Sequence, residues 1–163
     1  MLAVPAALFL VRLFMVQHDC SHRAFFRNRH ANDWIGRVIG VLTLTPYDCW
    51  RQTHAIHHAT SGDLDRRGLG DILTLTVDEY RALPLWRRIG YRLYRHPLVL
   101  FGIGPAYVFL LEQRLPSGLM RGGWRPWLSA MGTNLAIAAF LVIVAMLAGW
   151  QALLLVNLPT MLI

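Results

Sequence analysis

The chain has 163 residues, 55% of them hydrophobic and only 15% charged, with a mean hydropathy of +0.40. Soluble domains carry about a quarter charged residues, so the composition argues against a water-soluble globule and makes the bilayer part of the solvent. The net charge of +7 rests on 16 positive side chains, all arginine, which flank apolar runs instead of alternating with aromatics on a polar surface; this excludes nucleic acid as the partner and favours anionic lipid headgroups.

The chain opens with MLAVPAALFLVRLFMVQ. This run lacks the basic segment and the cleavage site of a signal peptide. It reads as the end of a membrane helix over residues 1–17, which carries the expectation that part of that helix precedes Met1. Arg12 lies inside the run, six residues from His18, and can snorkel toward the same surface. The helix continues into His18-Asp19-Cys20-Ser21-His22, whose histidines at i and i+4 share one helix face.

Asn32 or Asp33 is expected to cap a short helix running to about Leu44, with Trp34, Ile35, Val38, Ile39 and Leu42 on one side and Pro46 ending it. About a dozen residues are too few to span a bilayer, so this helix is interfacial or half-buried. His54-Ala55-Ile56-His57-His58 follows, again with its histidines on one helix face. The stretch TSGDLDRRGLGD is a polar, glycine-punctuated loop, and Thr76 with Glu79 has the pattern of a capping box. Leu85 to Arg95 is basic and amphipathic, suited to headgroups. The apolar run from 97 to 111 is short and broken by Gly102, Gly104 and Pro105, so it is expected to dip in or pack against protein without crossing.

Residues 129–149 form an uncharged run long enough to cross the hydrocarbon core, with Trp124, Trp127 and Trp150 as interfacial anchors. Residues 151–163 start a returning membrane helix, about half the length of a crossing, and the chain is expected to continue past Ile163. Arginines cluster after the first run and before the long one, and none follows residue 125. The positive-inside rule therefore puts residues 18–126 at the cytosolic face, as a cytosolic and interfacial region. Cys20 and Cys49 give no disulfide framework and fit that reducing setting. The expected class is all-α: integral membrane helices, interfacial amphipathic helices, and a histidine-bearing region facing the cytoplasm.

Five of the seven histidines, His18, His22, His54, His57 and His58, thus stand at metal-ligand spacing in two clusters at a membrane helix end. Imidazole suits iron, zinc, copper and nickel, so spacing alone does not choose the metal. A zinc protease needs Glu directly after its first His; Ala55 stands there. A single HxxxH arises often by chance, whereas two within about 40 residues at membrane depth point to a functional site.

These motifs, HDCSH at 18–22, HAIHH at 54–58 and the approach TPYDCWRQTH from Thr45 to His54, resemble the membrane fatty acid desaturases of the bacterial and plant acyl-lipid type. The stretches DRRGLGDILTLTVDEY and HPLVLFGIGPAYVFLLEQRLP are similar to that family's intervening region, so the resemblance covers essentially the whole chain. It implies two non-haem iron ions held by histidines in three boxes, with O2 as co-substrate. The implied reaction is insertion of a cis double bond into a fatty acyl or acyl-lipid substrate. Electrons would come from a donor such as a ferredoxin or a cytochrome b5 type protein. The third box, of HxxHH type, is absent from residues 1–163, which makes the expected site incomplete.

Asp19 and Asp48 are candidates for carboxylates hydrogen-bonded behind the ligands, with a cap or surface ion pair as the competing role. Trp50 is expected to pack and not to react. His30 is expected in a solvated loop, and His96, before Pro97, is a possible accessory ligand. Three other readings stay open: a histidine-box hydroxylase acting on alkanes or carotenoids, a bis-histidine haem protein of electron transfer, and an inactive membrane-associated chain.

Overall fold

The computed structural model describes residues 3–67, 72–116, 119 and 123–157. All regular structure among them is helical: α1 (Ala3–Ser21), α2 (Arg29–Leu42), α3 (Tyr47–Thr60), α4 (Val77–Ala82), α5 (Leu85–Tyr94), α6 (Gly104–Leu110), α7 (Trp124–Ala148) and the short α8 (Trp150–Ala152). Two of these, α1 with 19 residues and α7 with 25, are long and apolar enough to cross a membrane. Outward-facing residues of both are large and apolar, including Leu8, Phe9, Leu135, Met146 and Leu147; water alone would not tolerate such a surface on this scale.

The first helix continues past its apolar stretch because nothing breaks it before Ser21. It then ends in a Schellman cap, with Ala24 N–H donating to Asp19 O (3.0 Å) and Arg23 N–H to Cys20 O (2.9 Å). Arg23 takes the left-handed position (φ 58) usually given to glycine.

The second helix starts earlier than the sequence suggests. Asn28 is the cap, its Oδ1 accepting from His30 N (2.8 Å) and Ala31 N (3.4 Å). Asn32 is instead fully buried one turn later, where its amide donates to Phe26 O (2.6 Å) and Asn28 O (2.9 Å) and accepts from Phe26 N (3.0 Å). A buried amide with these partners staples the 26–32 segment. His30 accordingly lies exposed in the first turn of α2 and not in a loop.

The turn from α2 to α3 is tight. Thr45 N–H donates to Gly40 O (2.7 Å), and Leu44 is left-handed (φ 55). A Cβ on Gly40 would stand 2.4 Å from Thr45 O, and one on Gly36 would stand 2.3 Å from the Tyr47 ring, so glycine is what allows α2 and α3 to approach. Two ion pairs cross between them: Arg37 Nε to Asp48 (2.9 Å) and Arg51 Nη1 to Asp33 (2.6 Å).

The long α7 packs against α2 and α3. Cys49 Sγ donates to Pro126 O at 3.1 Å. Arg114, just before α7, donates to Leu44 O and to Asn134 Oδ1 (2.9 Å), and Asn134 returns a bond to Arg114 O (2.9 Å). Gln17, fully buried on α1, accepts from Thr43 Oγ at 2.6 Å.

The Thr76–Glu79 capping box is present and opens α4. Backbone of the extended segment before it is held by α5, with Leu73 N donating to Tyr94 Oη and Leu75 N to Tyr91 Oη, each 3.1 Å. The apolar run after α5 forms a π-helical turn (Val99–Ile103) and then α6. Pro105 has no N–H to give, which is where a regular ladder fails. Fourteen residues of helix from 97 to 110 rise about 21 Å, too short for the roughly 30 Å core. The helix expected at 129–149 begins earlier, at Trp124, and stops at Gly149 (φ 81). Residues 158–163 of the expected returning helix, Arg121, and residues 68–71 of the polar loop lie outside the described residues.

Candidate metal centre

The last turn of α1 and the C-terminal half of α3 meet with their histidine faces toward each other. His18, His22, His54 and His58 each offer a ring nitrogen, and these four atoms lie within 4.8 Å of one another. His54 is central: its Nε2 stands 3.2 Å from His22 Nε2 and 3.1 Å from His58 Nε2. Ring centroids separate by 4.6 Å for His18 and His22, 4.8 Å for His18 and His54, and 4.5 Å for His54 and His58.

Two imidazoles bound to one ion at about 2.1 Å hold their nitrogens roughly 3.0–3.4 Å apart, from right-angled to tetrahedral geometry. The spacing around His54 falls in that range, so the donor set fits a shared transition-metal ion. Partial burial, followed by the charges of His18, His58, His22 and His57, brings the His54 imidazole down from 6.5 to about 4. Burial, followed by His18 and His58, also lowers His22. Neutral imidazole is the ligand form, so the crowding that would repel protons keeps these rings ready for a cation.

The fifth histidine of the two boxes, His57, is on α3 beside this group but outside the four-nitrogen set; its ring centroid is 6.3 Å from that of His54 and 5.8 Å from that of His58. Asp19 Oδ1 lies 3.3 Å from His18 Nδ1, behind the ligand face. Asp48 is elsewhere. Its carboxylate is engaged by Arg37 Nε and Nη2 (2.9 and 3.1 Å), with Ser129 Oγ 3.5 Å away, so it braces α3 against α2 and α7 and meets no imidazole of the cluster. His96 is also apart: its Nδ1 accepts from Leu98 N (3.3 Å), and its carbonyl from Val99 and Leu100, which caps the next helical segment.

Trp50 packs, as expected, but on one of the four clustered histidines. Its ring stacks on His54 with centroids 4.6 Å apart and planes 12° from parallel. The crossed pairs of Asp33 and Arg37 with Arg51 and Asp48 were not singled out from the sequence. A signal existed: carboxylate then guanidinium at i, i+4 on α2 meets carboxylate then guanidinium at i, i+3 on α3, a pattern that closes only when the helices run antiparallel.

A family model described as fatty acid desaturase matches residues 1–163. A protein of Bacillus subtilis (strain 168) named fatty acid desaturase is 46% identical over 162 residues, which are 99% of this chain and 46% of that protein. The sn-1 acyl-lipid omega-3 desaturase (ferredoxin) of Synechocystis sp. (strain ATCC 27184 / PCC 6803 / Kazusa) is 31% identical over 144 residues, 85% of this chain and 38% of that protein. That of Nostoc sp. (strain 36) is 34% identical over 96 residues, 57% of this chain and 26% of that protein. The chain thus spans less than half the length of these relatives. No solved structure matches.

Proposed function

This chain belongs to the fatty acid desaturase family, and from that premise we propose that it serves O2-dependent insertion of a cis double bond into the acyl chain of a membrane lipid. The observation that carries the reading is the convergence of His18, His22, His54 and His58 within 4.8 Å at the end of a helix apolar enough to cross a bilayer. An acyl chain lies in the bilayer, and a metal cluster at the membrane surface can meet it there.

Iron is the metal we assign, held by these four histidines with His57 as a further ligand. When bound it supplies the one-electron chemistry and O2 activation that imidazoles alone cannot provide and that redox-inert zinc lacks. A pair of irons needs more donors than these five rings. In a three-box pattern the remainder come from a third box, a second HxxHH besides His54–His58, which is not among residues 1–163.

The chain's own groups prepare the site. Asp19 Oδ1 stands 3.3 Å from His18 Nδ1, where it would accept a proton carried on that nitrogen and leave the other ring nitrogen as the lone-pair donor. The arginine distribution supports placing both histidine clusters at the cytoplasmic face, where a one-electron carrier of the ferredoxin or cytochrome b5 type can reach them.

Two measurements test this. Metal analysis of protein purified from iron-replete cells is expected to find iron that is lost in His54→Ala. Acyl-chain analysis of a host expressing the protein with its full ligand set is expected to find a new cis double bond. A hydroxylated product with no new double bond would instead assign a hydroxylase of the same metal chemistry, and a Soret band in the purified protein would replace both with haem.

A further inference from the structure

Rotation about χ2 of a histidine is soft, because a torsion between sp3 and sp2 carbons has a broad, roughly two-fold profile. The rotamer therefore does not fix where Nε2 points, and a neighbour must. His54 needs this most among the four rings, because its Nε2 faces two other imidazole nitrogens at 3.1 and 3.2 Å.

We propose that Trp50 is a positioning residue that sets the ring plane of His54, and through it the convergence of the four nitrogens; the inference rests on the metal-centre reading above. Trp50 precedes His54 by one helical turn on α3, so the two rings share a face. They stack at 4.6 Å and 12°. Turning the imidazole out of that plane drives an edge into the indole.

The indole is itself held. Phe14 of α1 meets it edge-on at 5.2 Å and 67°, and Phe109 of α6 meets Phe14 at 6.3 Å and 88°. The His18 ring, on the same helix as Phe14, is 6.3 Å from Trp50. One indole thus touches both helices that bring ligands, and a series of rings from α6 through α1 ends on the central imidazole. Bulk alone would fill this space equally well with an aliphatic side chain. A flat face would not.

The test compares Trp50→Phe, which keeps a ring face, with Trp50→Leu, which keeps apolar volume only, in the chain embedded in lipid nanodiscs and titrated with Co(II). Loss of a group that orients a metal-bound histidine weakens binding about 10–100-fold. Trp50→Leu is expected to bind Co(II) about tenfold more weakly and to shift the cobalt d–d absorption, with Trp50→Phe restoring both toward wild type. Equal affinity and an unchanged spectrum in Trp50→Leu would overturn the positioning role while leaving the metal centre standing. No Co(II) binding by wild type would overturn the metal centre itself. Should Trp50→Leu lose its helical circular dichroism, the wild-type chain still decides: the emission that Trp50→Phe removes is expected to be the fraction that Co(II) quenches, and unquenched Trp50 emission with cobalt bound would contradict the stack.

Discussion

At the scale of single residues, the centre depends on imidazoles that refuse protons. In the unfolded chain a histidine takes its proton near an ordinary 6.5, and in the fold His54 does so only near about 4. Between those values the unfolded state binds more protons, so stability falls as pH is lowered through that window and does not change with this group above it. Unfolding of the metal-free chain in mild detergent is expected to occur at lower temperature at pH 4.5 than at pH 7.5, and His54→Gln is expected to flatten that slope. A slope unchanged in the variant would show that other groups carry the pH response. The clustered histidine pairs were legible in the sequence, because i, i+4 spacing on a helix leaves little freedom in where a side chain points. His57 shares that spacing pattern but not the four-nitrogen set, since one residue of helix turns a side chain by about 100° and only the meeting with α1 decides which of His57 and His58 enters. Asp48 illustrates the same limit: an acidic residue near ligands in sequence was claimed by Arg37 from another helix.

Among elements, the α2–α3 hairpin is what presents the second histidine cluster to the first. Its closeness rests on Gly40, where any Cβ meets the Thr45 carbonyl at 2.4 Å, a backbone atom that cannot step aside. Gly40→Ala is expected to destabilise the protein by about 1–3 kcal/mol, the usual range for forced overpacking, and to lower iron content, read by denaturant titration and metal analysis of the same preparation. Gly90→Ala, on α5 with nothing within 4 Å of the added carbon, is the matched control and is expected to add roughly 0.5–1 kcal/mol of helix stability and leave iron content unchanged. Helix boundaries were only partly readable. The Thr76–Glu79 box announces itself because both partners lie three residues apart, whereas Asn32 or Asp33, the expected caps of α2, give way to Asn28. Burial of Asn32 against the Phe26 backbone takes it out of that role, and that contact exists only once the segment has folded.

For the whole molecule, an ion held by the four-nitrogen cluster, as proposed, would couple metal to fold. The cluster joins α1 to α3, so an ion held there ties the apolar helix to the hairpin in the native state only. A ligand present at about 100 times its dissociation constant adds roughly 2.7 kcal/mol of stability by mass action. Added Fe(II) under anaerobic conditions is therefore expected to raise the unfolding midpoint, and a chelator to return it, with no shift in His22→Ala. Indifference of the midpoint to both would contradict the centre. The all-helical class and the two long apolar helices followed from composition, since a run such as 129–149 has few folded alternatives. What composition could not reveal is that polar side chains tie each of those helices to the α2–α3 turn across distant parts of the chain, Gln17 of α1 through Thr43, and Asn134 of α7 through Arg114 and Leu44.

One of those bonds carries a consequence in time. Leu44 and Arg114 are 70 residues apart, and synthesis proceeds from the amino terminus at roughly 5–20 residues per second. The four imidazoles lie between residues 18 and 58, so the cluster is made some 3–11 seconds before the guanidinium that fastens the left-handed turn, at that rate. Throughout that interval α1 and α3 must find each other with the turn unlatched. A nascent chain that captures its ion early would spend the wait already folded around it, and the arginine would arrive to lock a site instead of to build one.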